Sequence, residues 1–419
     1  MISIITPTHK KSNIPNLLEL YASIVVQTYT DWEWVLYING ELELEDIPTT
    51  ITQHARTKIV VEHSNNTNIG YIKNRAFNLA SGQILVEADH DDILTPDCLA
   101  SIYEAFYSDN SIGFVYSNTA LYDTVDQLTL PWNASYGWTH SRYKYKNLEL
   151  FSMNAFPATS HSLSFIWYAP DHVRAWRASV YKQVGGHDPK LDVCDDHDLL
   201  IRTYLASQFK KVDKTLYIYR KTASNTTIAR NEAIQKKTVE IFNHYARSLA
   251  ERDCELSGLL KLDLGGGISP LDGYLTLDLK NADIICDLNQ GIPLPDNSAG
   301  IINASHIIEH LYDKTKTMSE IHRVLAHGGW AFIDVPSTDG RGAFQDPTHV
   351  SYWNENSFLY YTDRYFADFI GNTTIKFQDY RLETHYPNKW FKNLGIPITT
   401  AWLVAVKENN SRLPGNLNI

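Results

Sequence analysis

The sequence predicts an α/β protein of two domains, each a sheet wound with helices. Short apolar runs of strand type alternate with helical stretches from Ile2 to about residue 230, and the alternation starts afresh at Leu259. At 419 residues the chain also exceeds what one ordinary core holds. Alternation of this kind gives parallel, doubly wound sheets whose ligands lie beyond the carboxyl ends of the strands.

Ile2–Thr6 reads as a buried strand, broken by Pro7-Thr8-His9. Asn13 can cap a helix in which Leu17, Leu18, Tyr21, Ile24 and Val25 recur at helical spacing. Trp32–Ile38 is a second strand ending at Asn39-Gly40, and Lys58–Glu62 a third. Asn68-Ile69-Gly70 opens a helix carrying Lys73, Asn74 and Arg75, which Gly82 stops. Ile84, Leu85 and Val86 then lead into Asp89, Asp91 and Asp92. Carboxylates crowded at a strand end repel unless something positive or polar lies between them. A divalent cation carrying a diphosphate does this, because Mg²⁺ and Mn²⁺ prefer hard oxygen ligands. The plainer account is an acidic, solvated loop capping a helix that starts near Pro96. Asn39, Lys73 and the acidic cluster share one sheet edge, so they could share one nucleotide.

The net charge of −11 argues against broad nucleic-acid binding, though it excludes no local basic groove. With 43% hydrophobic and 20% charged residues, the composition is that of a soluble globular protein. No apolar run reaches membrane-spanning length, and the N-terminus enters a strand without a signal peptide. Cys98, Cys194, Cys254 and Cys286 show no paired spacing, so neither a disulfide frame nor a zinc site is indicated, and a reducing, cytoplasmic setting is expected.

Four blocks occur in order: ISIITPTHK, QTYTDWEWVLYING, NIGYIKNRAFNLASGQILVEADHDDIL and GGHDPKLDVCDDHDLLIRTYL. On these, residues 1 to about 230 resemble a family 2 glycosyltransferase with the nucleotide-diphospho-sugar (GT-A) fold. The resemblance implies that Pro7 and Thr8 border the nucleoside, Asn39 faces the base and Lys73 lies near base or diphosphate. Asp89 and Asp91 would be the Asp-X-Asp pair, on ribose and on Mn²⁺ or Mg²⁺, with Asp92 supporting. Asp195 and Asp196 match the second acidic pair, with Asp196 as general base. That role requires a carboxylate within hydrogen-bond reach of the acceptor hydroxyl, opposite a leaving diphosphate that the metal stabilises, so the sugar transfers with inversion. The plainer account makes Asp196 a charge at a helix N-terminus.

Two positions depart from the family. Asn39 stands where an acidic residue is usual, which weakens the case for uridine, and Thr222 stands where many relatives carry a histidine; His172 or His197 could substitute. Between Leu121 and His172 no pattern is readable, but Trp132, Trp138 and Trp167 suit either an acceptor pocket or a folded-back loop with its own small core. Arg174 and Arg177 suit phosphate, or pairing with nearby carboxylates.

From Ala229 to about Glu255 a helical spacing of Ile234, Thr238, Ile241, Tyr245 and Leu249 predicts a connecting helix. Leu260–Leu264 is then a strand followed by Gly265-Gly266-Gly267, and Tyr274–Leu277 a strand ending in Asp278. A glycine turn allows close backbone approach to a ligand, and an acid ending the second strand can bind both ribose hydroxyls; a dinucleotide-binding domain shares these two features. LDLGGG, GYLTLDL, ADIICDLNQGIPLPDNSAGII, ASHIIEHL and EIHRVLAHGGWAFIDVP together resemble a class I S-adenosylmethionine-dependent methyltransferase of Rossmann-like fold. By that resemblance Gly265 and Gly267 face the methionine part, Asp278 the ribose, Asp287 the adenine, and His306 the methyl-transfer site. His306, His310, Asp346 and His349 are candidate proton acceptors, or hydrogen-bonded members of a tight loop.

The expected organisation is a glycosyltransferase domain at 1–228, a helical linker at 229–257, a methyltransferase domain at 258–407 and a tail at 408–419. The expected function is bifunctional: sugar transfer from a nucleotide-diphosphate sugar to a hydroxyl acceptor, and O-methylation of that sugar or glycan. A modified DNA base as acceptor, an inactive second domain that only binds or scaffolds, and a non-enzymatic glycan-binding module are the alternatives.

Overall fold

The computed structural model describes residues 1–123, 130–134, 137–166, 168–221 and 230–407. Trp167, Thr222, Ala229 and the tail 408–419, singled out above, lie outside the described residues. The chain divides into two compact units, Met1–Tyr245 and Ala246–Ile419.

In the first unit the apolar runs form strands β1 (Ile2–Thr8), β2 (Trp32–Ile38), β3 (Thr57–Val61) and β4 (Ile84–Glu87). Strands β1, β2 and β4 are buried along nearly all their length, which is why they read as continuous hydrophobic runs rather than alternating ones. There follow β5 (Ile93–Leu94), β6 (Ile112–Asp123), β7 (Thr139–Tyr145), β8 (Leu148–Asn154), β9 (Arg174–Arg177) and β10 (Gln208–Lys221). Among the described residues they make a ten-stranded sheet of order β3-β2-β1-β4-β9-β6-β10-β5, with β8 added to β6 and β7 to β8. The chain runs outward from β1 through β2 to β3, then returns to pair β4 with the other side of β1, both neighbours being parallel to it. The order therefore reverses between β1 and β4, and the crevice at their carboxyl ends holds Thr8, Glu87 and Asp89.

The hairpin β7–β8 occupies the stretch where no pattern was readable. Strand β7 is almost wholly exposed and polar, THSRYKY, so it has no period-two apolar signal. Its register comes from pairing with β8 and from Arg142 seated 4.0 Å over the Phe151 ring.

Helix Asn231–Ser257 follows, and the division between the units falls inside it, at Tyr245/Ala246. Among the described residues no helix is long and apolar enough to cross a membrane.

The second unit contains β11 (Leu260–Leu264), β12 (Leu275–Asp278), β13 (Ile284–Ile285), β14 (Ala299–Ser305), β15 (Leu325–Pro336), β16 (Phe377–His385) and β17 (Ile398–Ala405). Their order is β13-β12-β11-β14-β15-β17-β16, with β17 antiparallel to both neighbours and the first five strands parallel. Neither the β11–β12 nor the β12–β13 connection contains a helix. The first is GGGISPLDGY, in which four glycines and a proline oppose helix formation.

Trp176, at the centre of β9, is fully buried, donates from Nε1 to Thr203 Oγ1 at 3.3 Å and lies 4.9 Å from the Phe114 ring centroid. Trp176→Ala should lower the stability of the first unit by about 3–5 kcal/mol, read as a fall in urea midpoint; a change under about 1 kcal/mol would mean the surrounding rings collapse to fill the space.

Candidate functional site

At the reversal of the first sheet, four elements converge on a buried ionic cluster. Glu87, the last residue of β4, is fully buried, and its Oε1 lies 2.5 Å from Lys73 Nζ, delivered by helix Ile69–Asn78. Arg174 of β9 stands opposite Glu87 in the strand register. Its Nη1 lies 2.6 Å from Asp196 Oδ2 and 3.9 Å from Glu87 Oε2. Asp195 and Asp196 open helix Asp195–Ala206, and Asp195 Oδ2 is 3.8 Å from Lys73 Nζ and 3.6 Å from His187 Nε2. Two permanent cations thus serve three carboxylates.

The carboxylates respond differently. Burial pushes Asp195 up to about 7, with Lys73 opposing and Asp196 adding. For Asp196 burial acts in the same direction, but Arg174 and Lys73 outweigh it and hold the carboxyl below the usual range. Asp196 is also the more accessible, its side chain 13% exposed against 5% for Asp195. Its Oδ1 accepts from the His197 N–H at 2.9 Å, so its charge sits in the first turn of its own helix as well as facing solvent.

The acidic loop after β4 is shaped by β10. Asp92 is buried, its Oδ1 accepts from the Arg220 N–H at 2.6 Å, and Oδ2 has no hydrogen-bond partner. Burial, reinforced by Asp91 and Asp89, pushes Asp92 well above the usual carboxylate range. The Arg220 Nε donates to the Asp91 carbonyl at 2.7 Å, and the Asp89 N–H donates to Tyr217 Oη at 3.1 Å. Asp89 and Asp91 remain partly solvent-reached at the crevice. Two such carboxylates are hard oxygen donors that leave room for phosphate oxygens, so this set fits Mg²⁺ or Mn²⁺.

The other residues expected here are distributed as follows. Pro7 lies within β1 opposite Tyr37, and the Thr8 carbonyl accepts from the Asn39 N–H at 3.0 Å. The Asn39 side chain is turned into its own sheet edge: Oδ1 accepts from the Ser64 N–H at 2.9 Å and Nδ2 donates to the Asn66 carbonyl at 3.4 Å. Lys73 is engaged with Glu87. His172 is buried, stacked on Tyr217 with centroids 4.6 Å apart, its Nε2 3.8 Å from Asp89 Oδ2; burial pushes it down to about 4. His197 Nε2 bonds the Leu163 carbonyl at 2.9 Å, a structural role.

In the second unit the turn after β11 brings Gly265, Gly267 and Asp278 together. Gly265 has φ +76°, and a Cβ there would meet Ile307 at 2.9 Å. A Cβ on Gly267 would meet the Lys280 carbonyl at 2.6 Å and Asp278 Oδ2 at 2.8 Å. Asp278 Oδ2 accepts from the Gly267 N–H at 3.1 Å and Oδ1 from the Leu279 N–H at 2.6 Å. Each oxygen keeps a second lone pair, and only glycine backbone fits this cradle, so the set fits a ribose-bearing cofactor. Behind it Asp263 Oδ1 accepts from Asn303 Nδ2 at 2.7 Å, and Arg247 Nη2 donates to Asn303 Oδ1 at 3.0 Å, locking β11 to β14. Asp287 accepts from the Asn289 N–H at 3.0 Å as the cap of a short 3₁₀ turn. His306, with φ +54° at the end of β14, is half exposed, and its Nδ1 lies 3.6 Å from Glu309 Oε1. Its pKa is raised, first by the neighbouring Glu309 carboxylate.

Residues 3–167 match the family model described as glycosyl transferase family 2, and residues 274–333 that of a methyltransferase domain. The chain joins a family 2 glycosyltransferase domain to a methyltransferase domain. It is 24% identical over 204 residues to the O-antigen biosynthesis protein RfbC of Myxococcus xanthus, a match covering 48% of this chain and 14% of that protein. It is 22% identical over 229 residues to the uncharacterized protein y4gI of Sinorhizobium fredii, covering 53% of this chain and 22% of that protein. The chain thus spans about a seventh and about a fifth of these curated relatives. Among solved structures, S. aureus TarS 1–349 in complex with UDP-GlcNAc aligns at 14% identity and TM-score 0.44, covering 65% of this chain and 76% of that one.

In the glycosyltransferase unit the aromatic segment makes its own core: Trp138, Phe156, Met153 and Leu121 are buried together, with Trp132 and Tyr168 packed against them. Trp132 and Trp138 therefore stack on protein (centroids 4.5 Å apart), which is the folded-back loop. Arg177 donates to the Ile112 and Phe106 carbonyls, and Arg174 to Asp196, so both arginines serve the protein itself. Glu87 and its pairing with Lys73 were missed in the sequence; the available signal was an acid ending an otherwise apolar strand, ILVE.

Lys73→Met leaves Glu87 buried with one cation fewer and should destabilise the glycosyltransferase unit by about 3–5 kcal/mol. Combining it with Glu87→Gln should recover a substantial part. Urea unfolding of the single and double variants measures the coupling, and additivity of the two losses would show that the pair is not an interacting unit.

Proposed function

We propose that this chain transfers a sugar with inversion from a nucleotide-diphosphate sugar to a hydroxyl of a glycan, and that its second unit O-methylates the sugar or glycan. Asp196 carries the reading: it is the member of the acidic pair that solvent reaches, and Arg174 keeps it ionised. As base it takes the acceptor's hydroxyl proton while the acceptor oxygen bonds the anomeric carbon and the bond to the diphosphate breaks. Asp89 and Asp91 would hold Mn²⁺ or Mg²⁺, which when bound neutralises charge on the departing diphosphate. Arg174 orients Asp196, and Lys73 with Glu87 fixes the strand end from which the acidic loop departs. The four free cysteines accord with a reducing, cytoplasmic setting.

In the second unit, S-adenosylmethionine would lie over Gly265 and Gly267 with its ribose on Asp278, supplying an electrophilic methyl group. His306 would take the proton from the accepting oxygen. A surface polysaccharide is the favoured acceptor, in line with the partial similarity to an O-antigen biosynthesis protein. The features that recommended a DNA base, the aromatic segment and the two arginines, are engaged within the protein.

Thermal-shift binding against a nucleotide panel with Mn²⁺, and separately with S-adenosylmethionine, tests both halves, since a ligand specific to the folded state raises the midpoint. Asp91→Ala should abolish the Mn²⁺-dependent nucleotide shift and Asp278→Ala the S-adenosylmethionine shift; no shift in the parent protein would end the reading. Asp196→Asn should lower kcat by roughly 10²–10⁴ with nucleotide binding retained. With Asp196 as base, kcat/KM for sugar transfer should show no ascending limb between about pH 5 and 8. A limb centred near 7 would move the role to Asp195, which burial holds at about that value.

A further inference from the structure

Beside His306, one cluster in the methyltransferase unit has the chemistry of a metal centre. Glu309, His310 and His349 each offer a ligand atom, and these atoms lie within 4.8 Å of one another. Glu309 and His310 belong to a 3₁₀ turn, Ile308–His310, after β14. The loop bearing His349 is pinned onto that turn: the Val350 and Ser351 N–H groups both donate to the Glu309 carbonyl, at 2.9 and 3.0 Å, and Ser351 Oγ donates to the Ile308 carbonyl at 2.9 Å.

Both histidines are oriented as ligands usually are. His349 Nδ1 bonds the Ala343 carbonyl at 2.9 Å, and His310 Nδ1 bonds the Thr348 carbonyl at 3.2 Å. A carbonyl only accepts, so Nδ1 carries the proton in each ring and the Nε2 lone pair is left to bind. Glu309 supplies an independent sign. Its side chain is 3% exposed, and Oε2 is buried with no hydrogen-bond partner. Among the described residues its ion-pair partners within 4.0 Å are His306, at 3.6 Å, and His349, at 3.9 Å, and neither a lysine nor an arginine lies that close. A buried carboxylate with an orphaned oxygen and no permanent cation is costly, and a bound cation removes that cost.

We propose that Glu309, His310 and His349 bind a divalent transition metal of the Zn²⁺ class. Two imidazole nitrogens and one carboxylate oxygen favour such a metal over Mg²⁺ or Ca²⁺, and three protein ligands leave a coordination position open. Asp346, whose Oδ2 lies 3.9 Å from His349 Nε2, and His306 flank the site. That open position is the natural seat for an oxygen of the methyl acceptor, a clause that rests on the methyltransferase reading; the metal site does not.

The test uses the full chain carrying Asp91→Ala, so that metal held by the first unit is discounted. After chelator treatment the protein is titrated with Zn²⁺ and with Co²⁺, the latter followed by its visible absorption, while S-adenosylmethionine binding is measured by calorimetry. One equivalent of tightly bound metal is expected, with affinity lowered more than roughly tenfold by His349→Ala, by His310→Ala and by the near-isosteric Glu309→Gln. Circular dichroism selects the variants that fold, and His310, at the surface of the cluster, is the least disruptive of the three. No bound equivalent, or affinity unchanged in the folded variants, overturns the proposal and leaves the neighbouring histidines as the partners of Glu309. Metal bound without S-adenosylmethionine binding upholds the site and removes the methyltransferase reading.

Discussion

The glycosyltransferase unit depends on one arrangement, the burial of Glu87 at the end of β4 between Lys73 and Arg174. A carboxylate wholly withdrawn from water costs several kcal/mol unless nearby charge compensates it. Burial drives Glu87 upward, yet Lys73, His172 and Arg174 together hold it far below the ordinary carboxylate range. The same two cations reach the acidic pair of helix Asp195–Ala206, at 3.8 Å from Lys73 and 2.6 Å from Arg174. Sheet, preceding helix and following helix are thereby tied at one point, two residues before Asp89. The position of the acidic loop relative to Asp196 is set by this cluster rather than by the loop, whose own carboxylates repel.

That arrangement also separates two adjacent aspartates. Asp195 points inward to Lys73 and His187, while Asp196 turns toward Arg174 and solvent. Neighbours in sequence on a helix point about 100° apart, so one faces the core and the other the crevice. Groups whose surroundings push their pKa values in opposite directions are a recurring feature of acid–base sites. Here the divergence follows from helix geometry and from unequal sharing of two cations among three carboxylates.

Much of this was legible in the sequence. Strands β1, β2 and β4 are apolar runs because both faces of the sheet are covered, and the acidic loop and acidic pair stand out as charge after apolar stretches. The connecting helix was visible from its spacing. The hairpin β7–β8 was not, because THSRYKY buries almost nothing and is ordered by its neighbours. Glu87 was passed over since its meaning lies in Lys73 and Arg174, which are remote in sequence. The same holds for Glu309 and His349, forty residues apart by numbering and joined only when the loop folds back onto the turn. In the second unit the glycine turn and Asp278 were readable, but the missing helices were not: Gly and Pro in GGGISPLDG mark a break without stating that no helix resumes before β12.

Asn39 shows how a departure from a family pattern can have a local cause. Its Oδ1 accepts from the Ser64 N–H and its Nδ2 donates to the Asn66 carbonyl, so both halves of the amide are used. A carboxylate at this position could accept from Ser64 but would face the Asn66 carbonyl without a proton to give. Repulsion between two acceptors would displace the loop from 62 to 68, which also leads into the helix that carries Lys73. The amide therefore answers a structural demand that reaches the buried cluster through that helix. With both halves of its amide engaged within the protein, the identity of residue 39 ceases to be evidence for or against any particular nucleoside.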